Sequence, residues 1–292
     1  MAAEEHAPSA GEYITHHLQH FQKNFSFENV KQSTIVDFSL FNFDSVIYSV
    51  ILGVVGCFLL WRAARKATPG VPGRFQAAVE ILSEMVENQA KGVIHNVGSR
   101  KLVSPLALTV FVWIFLMNAM DMLPVDLLPA AWGQVYPSFG GEAHHAYMRV
   151  VPTADLSTTL GLSVSVLLMC FFYNIKIKGL GGWGHELISA PFGAHPALWP
   201  FNFLMQMIEF VAKTVSHGMR LFGNMFAGEL VFMLIALMGG AVSFSAAGIG
   251  LAAGHVIAGT VWTLFHILVI TLQAFIFMML TLIYIGQAHD AH

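Results

Sequence analysis

Between Glu186 and Asp290 the chain carries four charged residues, Glu209, Lys213, Arg220 and Glu229, in a stretch otherwise built of apolar, small and uncharged polar side chains. A charge at membrane depth costs about 2.5 kcal/mol or more even on lenient scales, so each one asks for a partner or a function. At about 100° per residue, Glu209, Lys213, Arg220 and Asn224 fall in one narrow helical stripe, with His217 beside them and Glu229 on the opposite side. Further on, His266 and Gln273 stand seven apart and share a face. Two such helices folded back on each other would gather an arginine, an asparagine, a glutamine, a histidine and a carboxylate in one buried neighbourhood. The chemistry this suits is proton movement. Titratable groups with water between them pass protons, and an arginine that never deprotonates supplies a fixed positive charge among them.

Each residue also has a plainer reading. Glu209 and Lys213 are four apart in the order that favours mutual neutralisation, which stands beside a channel role. Arg220 could serve as the structural partner of a buried carboxylate, and His266 as a histidine satisfied at a helix interface. His16, His17 and His20 include an i, i+4 pair, but no Cys or carboxylate completes a metal site. His144, His145, His289 and His292 are expected to be solvated. Cys57 and Cys170 lie far apart in apolar stretches, a pattern of neither a disulfide framework nor a metal site, and are expected to be inert thiols.

The elements that must position these groups follow from hydropathy. Of the 292 residues 56% are hydrophobic and only 11% charged, with mean hydropathy +0.65. A water-soluble domain carries about 25% charged residues, so the bilayer is the expected solvent. The net charge of −3, without a basic patch, excludes nucleic acid as a partner. Residues 1–41 are polar and acidic and lack a basic n-region followed by an apolar core, so the first apolar stretch is expected to be a retained span. Ser45 to Trp61 is uncharged and followed by Arg62, Arg65 and Lys66, which reads as a span with a basic cytoplasmic end. The N-terminus is then outside.

From Phe75 to about Ile94, Phe75, Val79, Leu82, Met85, Val86 and Val93 keep helical spacing opposite Glu80, Glu84, Glu87 and Lys91, as expected of an amphipathic helix on the inner membrane surface. Ser104 to Met120 reads as the next span, starting at Pro105, and is followed by a loop from Pro124 to Val150 whose one basic residue is Arg149. Leu156 to Ile175 reads as a third span, closed by Lys176 and Lys178. Two longer elements finish the chain, about Trp199 to Met238 and Leu251 to Gly286, parted by Gly239-Gly240. A helix of the first one's length reaches ~60 Å against a hydrocarbon core of ~30 Å, so both are expected to tilt steeply.

The predicted architecture is therefore an all-α integral membrane protein. It has five membrane-crossing helices and one surface helix in a single membrane domain, with 42–185 carrying the first elements and 199–287 the tilted hairpin. Positive-inside bookkeeping supports it, since seven of the fourteen Lys and Arg residues lie between Arg62 and Lys101, and five crossings place the C-terminus in the cytoplasm. No Gly-rich phosphate loop, Ser-His-Asp set or HExxH is present, so the chain alone is not expected to hydrolyse anything, and no cofactor is implied. Two readings from other classes compete. An ion-coupled secondary transporter would also bury charges, but such folds are commonly built from related halves, which are not evident here. A structural scaffold would not need Arg220, Asn224, Glu229, His266 and Gln273 to converge.

The run MRLFGNMFAGEL from Met219 to Leu230, with FHILVITLQAFIF from Phe265 to Phe277, resembles subunit a of the F-type ATP synthase. So do PLALT from Pro105, NAMDMLPVD from Asn118 to Asp126, VVPTAD from Val150 to Asp155 and the His16-His17-Leu18 start. The resemblance spans nearly the whole chain. It implies a bacterial plasma-membrane protein with two offset proton half-channels facing a rotating ring of carboxylate-bearing c subunits, alongside the peripheral-stalk subunit b and the remaining synthase subunits. Arg220 matches the essential ring-facing arginine. Asn224, Glu229 and His266 match the outer half-channel, with Asp44, Asp121 and Asp155 near its mouth. Gln206, Glu209 and Lys213 border the inner one, and Gln273 is expected close to Arg220. Two departures fall on the inner side. Many members carry a carboxylate where this chain has Gln206, and His217 occupies a position that is often apolar.

Overall fold

The computed structural model describes residues 10–24, 37, 39–68, 70–139, 147–193, 195–240 and 245–289. His144, His145 and His292 lie outside them. Eight α-helices are described: α1 (Ala10–Leu18), α2 (Phe43–Arg65), α3 (Arg74–Val93), α4 (Val97–Ala119), α5 (Leu127–Val135), α6 (Leu156–Ser189), α7 (Trp199–Gly240) and α8 (Ala246–Gln287). A short antiparallel ribbon of β1 (Gln22–Asn24) and β2 (Leu40–Asn42), in register Gln22↔Asn42, leads into α2. Five helices are long and apolar enough to cross a membrane: α2, α4 with its following turn, α6, α7 and α8. The all-α membrane architecture thus holds. Large apolar side chains stay exposed along it, Val50, Val54 and Phe58 on α2 and Val261, Leu264 and Leu268 on α8 among them. Water would not tolerate stripes of that extent, and lipid favours them.

The chain divides into two compact units. One comprises Met1–Leu52, Leu116–Asp155 and Gly223–Thr271; the other comprises Gly53–Phe115, Leu156–Phe222 and Leu272–His292.

In the first unit, α7 and α8 pack through glycines. Gly239 leaves room for the ring of His255, whose Nδ1 pairs with the Ile235 carbonyl at 2.8 Å, and Gly259 lies against Ile235. The ribbon and α1 gather near the connection after α4, where the Tyr13 hydroxyl donates to Asp126 Oδ1 at 2.9 Å and His17 Nε2 reaches the same oxygen at 3.0 Å. The segment expected to be loop from Pro124 onward contains α5, because Pro129 falls in its first turn, where a missing N–H removes no helical hydrogen bond.

In the second unit, α3 buries Val86 and Ala90, with Ile94 buried just past its end, and leaves Phe75 exposed. Helix α4 starts at Val97, seven residues before the expected Ser104. Asn96 caps it, its Oδ1 accepting from the backbone N–H groups of Gly98 (2.8 Å) and Ser99 (3.2 Å), so Arg100 and Lys101 are helical and Pro105 sits inside the helix. Helix α6 continues past the expected stop at Lys178 to Ser189, but Gly179 breaks its path with φ 71°, a left-handed value that costs glycine little. Buried Asn202 then fixes the turn into α7, donating to the Ile188 (2.8 Å) and Gly193 (3.0 Å) carbonyls. Ser163 on α6 donates to the Thr214 carbonyl on α7 at 2.5 Å, and Gly218 meets the Thr159 carbonyl, so these helices touch at backbone distance. Tyr173 and His289 pack ring to ring at 5.7 Å, which makes His289 a packing residue instead of a solvated one.

Candidate functional site

The first unit holds the greater concentration of buried charge. On α7, Glu229 is 8% exposed and faces Arg149, which reaches it from the extended segment before α6. Arg149 Nη2 donates to Glu229 Oε2 at 2.6 Å and Nε to the same oxygen at 3.2 Å. The guanidinium also lies over the Phe226 ring, and Nη1 contacts His20 Nε2 at 3.1 Å. The Arg149 backbone N–H donates to Asp44 Oδ2 at 2.9 Å, while Asp44 Oδ1 stands 3.4 Å from His20 Nδ1. One connected set thus joins Glu229, Arg149, His20 and Asp44. Asp155 is buried too and accepts from Asn42 Nδ2 at 3.0 Å.

His266 on α8 is 1% exposed and has its own acid. Its Nε2 stands 2.7 Å from Asp121 Oδ2, with a direction off the line of a full hydrogen bond. Phe232 meets the imidazole edge-on at 5.1 Å, and Trp262 lies near-parallel to it at 6.0 Å. The pairing depends on Gly228, because a Cβ at that position would run into His266 Cε1 and come within 3.2 Å of Asp121 Oδ2. A small cavity of about 30 Å³ touches both Asp121 and Glu229, room for about one water molecule. His266, expected beside Glu229, instead contacts Asp121, which the NAMDMLPVD turn carries to it.

The second unit holds Gln206, Glu209, Lys213, Arg220 and Gln273. Lys213 reaches Glu209 at 2.5 Å and Gln287 at 2.9 Å, so the helical ion pair forms. Gln273 is 3% exposed. Arg220 is half-buried, and among the described residues its guanidinium has no hydrogen-bond or ion-pair partner. Asn224, one turn on and belonging to the first unit, is exposed on α7. A cavity of about 1120 Å³ in the second unit is lined by Gln206, Glu209, Lys213 and His217 together with the Lys178–Glu186 ion pair.

Arg149 and His20 were not singled out from the sequence as members of this set. The one available signal was that Arg149 is the only Lys or Arg between Pro124 and Val150.

Residues 46–286 match the family model described as ATP synthase A chain. The chain belongs to the ATP synthase A chain family. It is 68% identical to the ATP synthase subunit a of Paracidovorax citrulli (strain AAC00-1) over the full length of both chains. It is 64% identical to that of Verminephrobacter eiseniae (strain EF01-2), again over the full length of both. With that of Psychrobacter cryohalolentis it shares 44% identity, over 99% of this chain and 98% of the relative. As an ATP synthase A chain with five apolar helices, it is a multi-pass inner-membrane subunit of a bacterial ATP synthase. The secondary-transporter reading is thereby set aside.

Proposed function

We propose that this subunit forms two proton half-channels against a rotating c-ring and that Arg220 is the charge that forces protons to travel by rotation. The observation that carries this is the state of the four charges between Glu186 and Asp290. Glu209 and Lys213 neutralise each other and Glu229 is neutralised by Arg149, while Arg220 has no anion among the described residues. Holding an unneutralised cation at membrane depth is costly, and it becomes favourable when the anion arrives from another chain. A carboxylate on a ring subunit is such an anion. Passing Arg220, it must be ionised, and because the guanidinium does not titrate, no proton crosses directly.

In this reading Asp44, Asp121, Asp155, Asn224, Glu229 and His266 line the outer half-channel, with Arg149 and His20 added to them. The cavity touching Asp121 and Glu229 gives a water molecule a place between these acids. Gln206, Glu209 and Lys213 line the inner half-channel, and Gln273 belongs to the same unit as Arg220. The N-terminus is outside and the C-terminus cytoplasmic, with subunit b and lipid covering the remaining apolar faces. The driving force is about 2.3 kcal/mol per proton per 100 mV of membrane potential. The test is ATP-driven proton pumping by inverted vesicles carrying Arg220→Ala, with assembly checked on native gels. Pumping should vanish while the complex assembles. Persistent pumping would make Arg220 a structural charge and sink the mechanism.

A further inference from the structure

The inner half-channel of this reading lacks an obvious proton carrier. Gln206 carries an amide that does not titrate. The carboxylates that line the cavity of the second unit are engaged, Glu186 with Lys178 Nζ at 2.8 Å through both oxygens and Glu209 with Lys213. His185, also at the cavity, contacts the Ser189 hydroxyl at 3.2 Å.

His217 differs from all of them. It lines the same cavity and is 2% exposed. Its ring lies on Phe277 with centroids 3.8 Å apart and meets the Tyr284 ring edge-on at 5.6 Å. Among the described residues neither ring nitrogen has a hydrogen-bond partner, and Nε2 is fully enclosed. Leaving a buried polar atom unpaired is costly, so its presence calls for an explanation. On α7 it stands one turn beyond Lys213 and one turn before Arg220, the residue at which the ring carboxylate would arrive. A histidine that only filled space would be expected to direct a nitrogen to a carbonyl, as His255 does with Ile235.

We propose that His217 relays protons through the inner half-channel, between water in the cavity and the ring-facing side of α7 at Arg220. The step balances within the imidazole. A proton joins the ring nitrogen that carries the lone pair, the other nitrogen gives up its own proton, and the ring is left as the opposite tautomer. The first tautomer returns by exchange through cavity water, which takes a proton from one ring nitrogen and supplies one to the other, so the reset moves no net charge and leaves the ring face on Phe277. This rests on the half-channel reading and assigns that reading an inner carrier on residues of this chain.

The experiment uses the assembled synthase in inverted vesicles with His217→Phe, His217→Ala and, in parallel, Arg220→Ala. His217→Phe keeps an aromatic ring on Phe277 without nitrogens. Pumping should fall ~10-fold or more, within what a positioned acid–base group contributes, while the native-gel pattern stays unchanged. In His217→Ala the vacated space should admit free imidazole, and millimolar imidazole should restore a substantial part of the lost rate. Pumping within twofold of native in His217→Phe would overturn the relay, as would a loss in His217→Ala that imidazole does not restore. If His217→Phe fails to assemble, the His217→Ala and imidazole comparison decides alone. Pumping that survives Arg220→Ala would overturn the half-channel reading itself, whereas loss there with normal pumping in His217→Phe would overturn only the relay.

Discussion

Replacing Arg149 by Met should destabilise the subunit through the carboxylate it abandons. The two side chains of the Arg149–Glu229 pair are 6% and 10% exposed, with the shortest contact at 2.6 Å. At an effective dielectric constant of about 20 and a charge separation of about 3 Å, the attraction amounts to about 5–6 kcal/mol. Desolvating both ions offsets much of it, so the pair as a whole contributes little net stability. Breaking it from one side is different, because the remaining ion stays buried and uncompensated, at a cost of about 3–5 kcal/mol. Arg149→Met keeps the aliphatic bulk, and the backbone N–H bond to Asp44 survives, which isolates the charge. Adding Glu229→Gln removes the stranded carboxylate, so the double variant should recover about 2–3 kcal/mol of the loss. The measurement is the temperature at which the detergent-extracted complex releases this subunit on native gels, for the native protein, both single variants and the double variant. Losses that simply add in the double variant would refute the argument, since independent sites add and a paired site does not.

Two further outcomes follow from local geometry. Gly228→Ala should push the His266 ring off Asp121, and ATP-driven pumping should fall sharply while the complex still assembles; unchanged pumping would show that the His266–Asp121 contact is dispensable. Tyr13, in α1, has its phenol raised above the ordinary value of about 10 by burial first and by its hydrogen bond and charge interaction with Asp126 second. Because the folded value exceeds the unfolded one, the stability this contact contributes is complete below pH about 10 and is lost as pH climbs through the folded value. The phenolate absorbance difference between native and Tyr13→Phe complexes should therefore stay flat well past pH about 10, and a signal emerging at ordinary tyrosine pH would refute the assignment.

The sequence by itself determined what depends on solvent and on helical period. The long uncharged runs required membrane helices, the 3.6-residue repeat put Glu209, Lys213, Arg220 and Asn224 on one stripe, and the four-residue spacing of Glu209 and Lys213 foretold their ion pair. Such features are local, and neighbouring residues in a helix have no alternative placement. Element ends were less legible. Asn96 started α4 earlier than Pro105 suggested, because a side-chain cap competes with the preference of proline for a first turn. Only the tertiary structure decided who partners whom. Arg149 meets Glu229 across 80 residues, and Asp121 meets His266 across 145, in a space that opens because Gly228 has no side chain. His217 sat beside the charged stripe on the helical wheel, and packing turned its ring inward onto Phe277. A buried charge must be neutralised by whatever the fold brings near it, and period and composition alone carry no record of that neighbour.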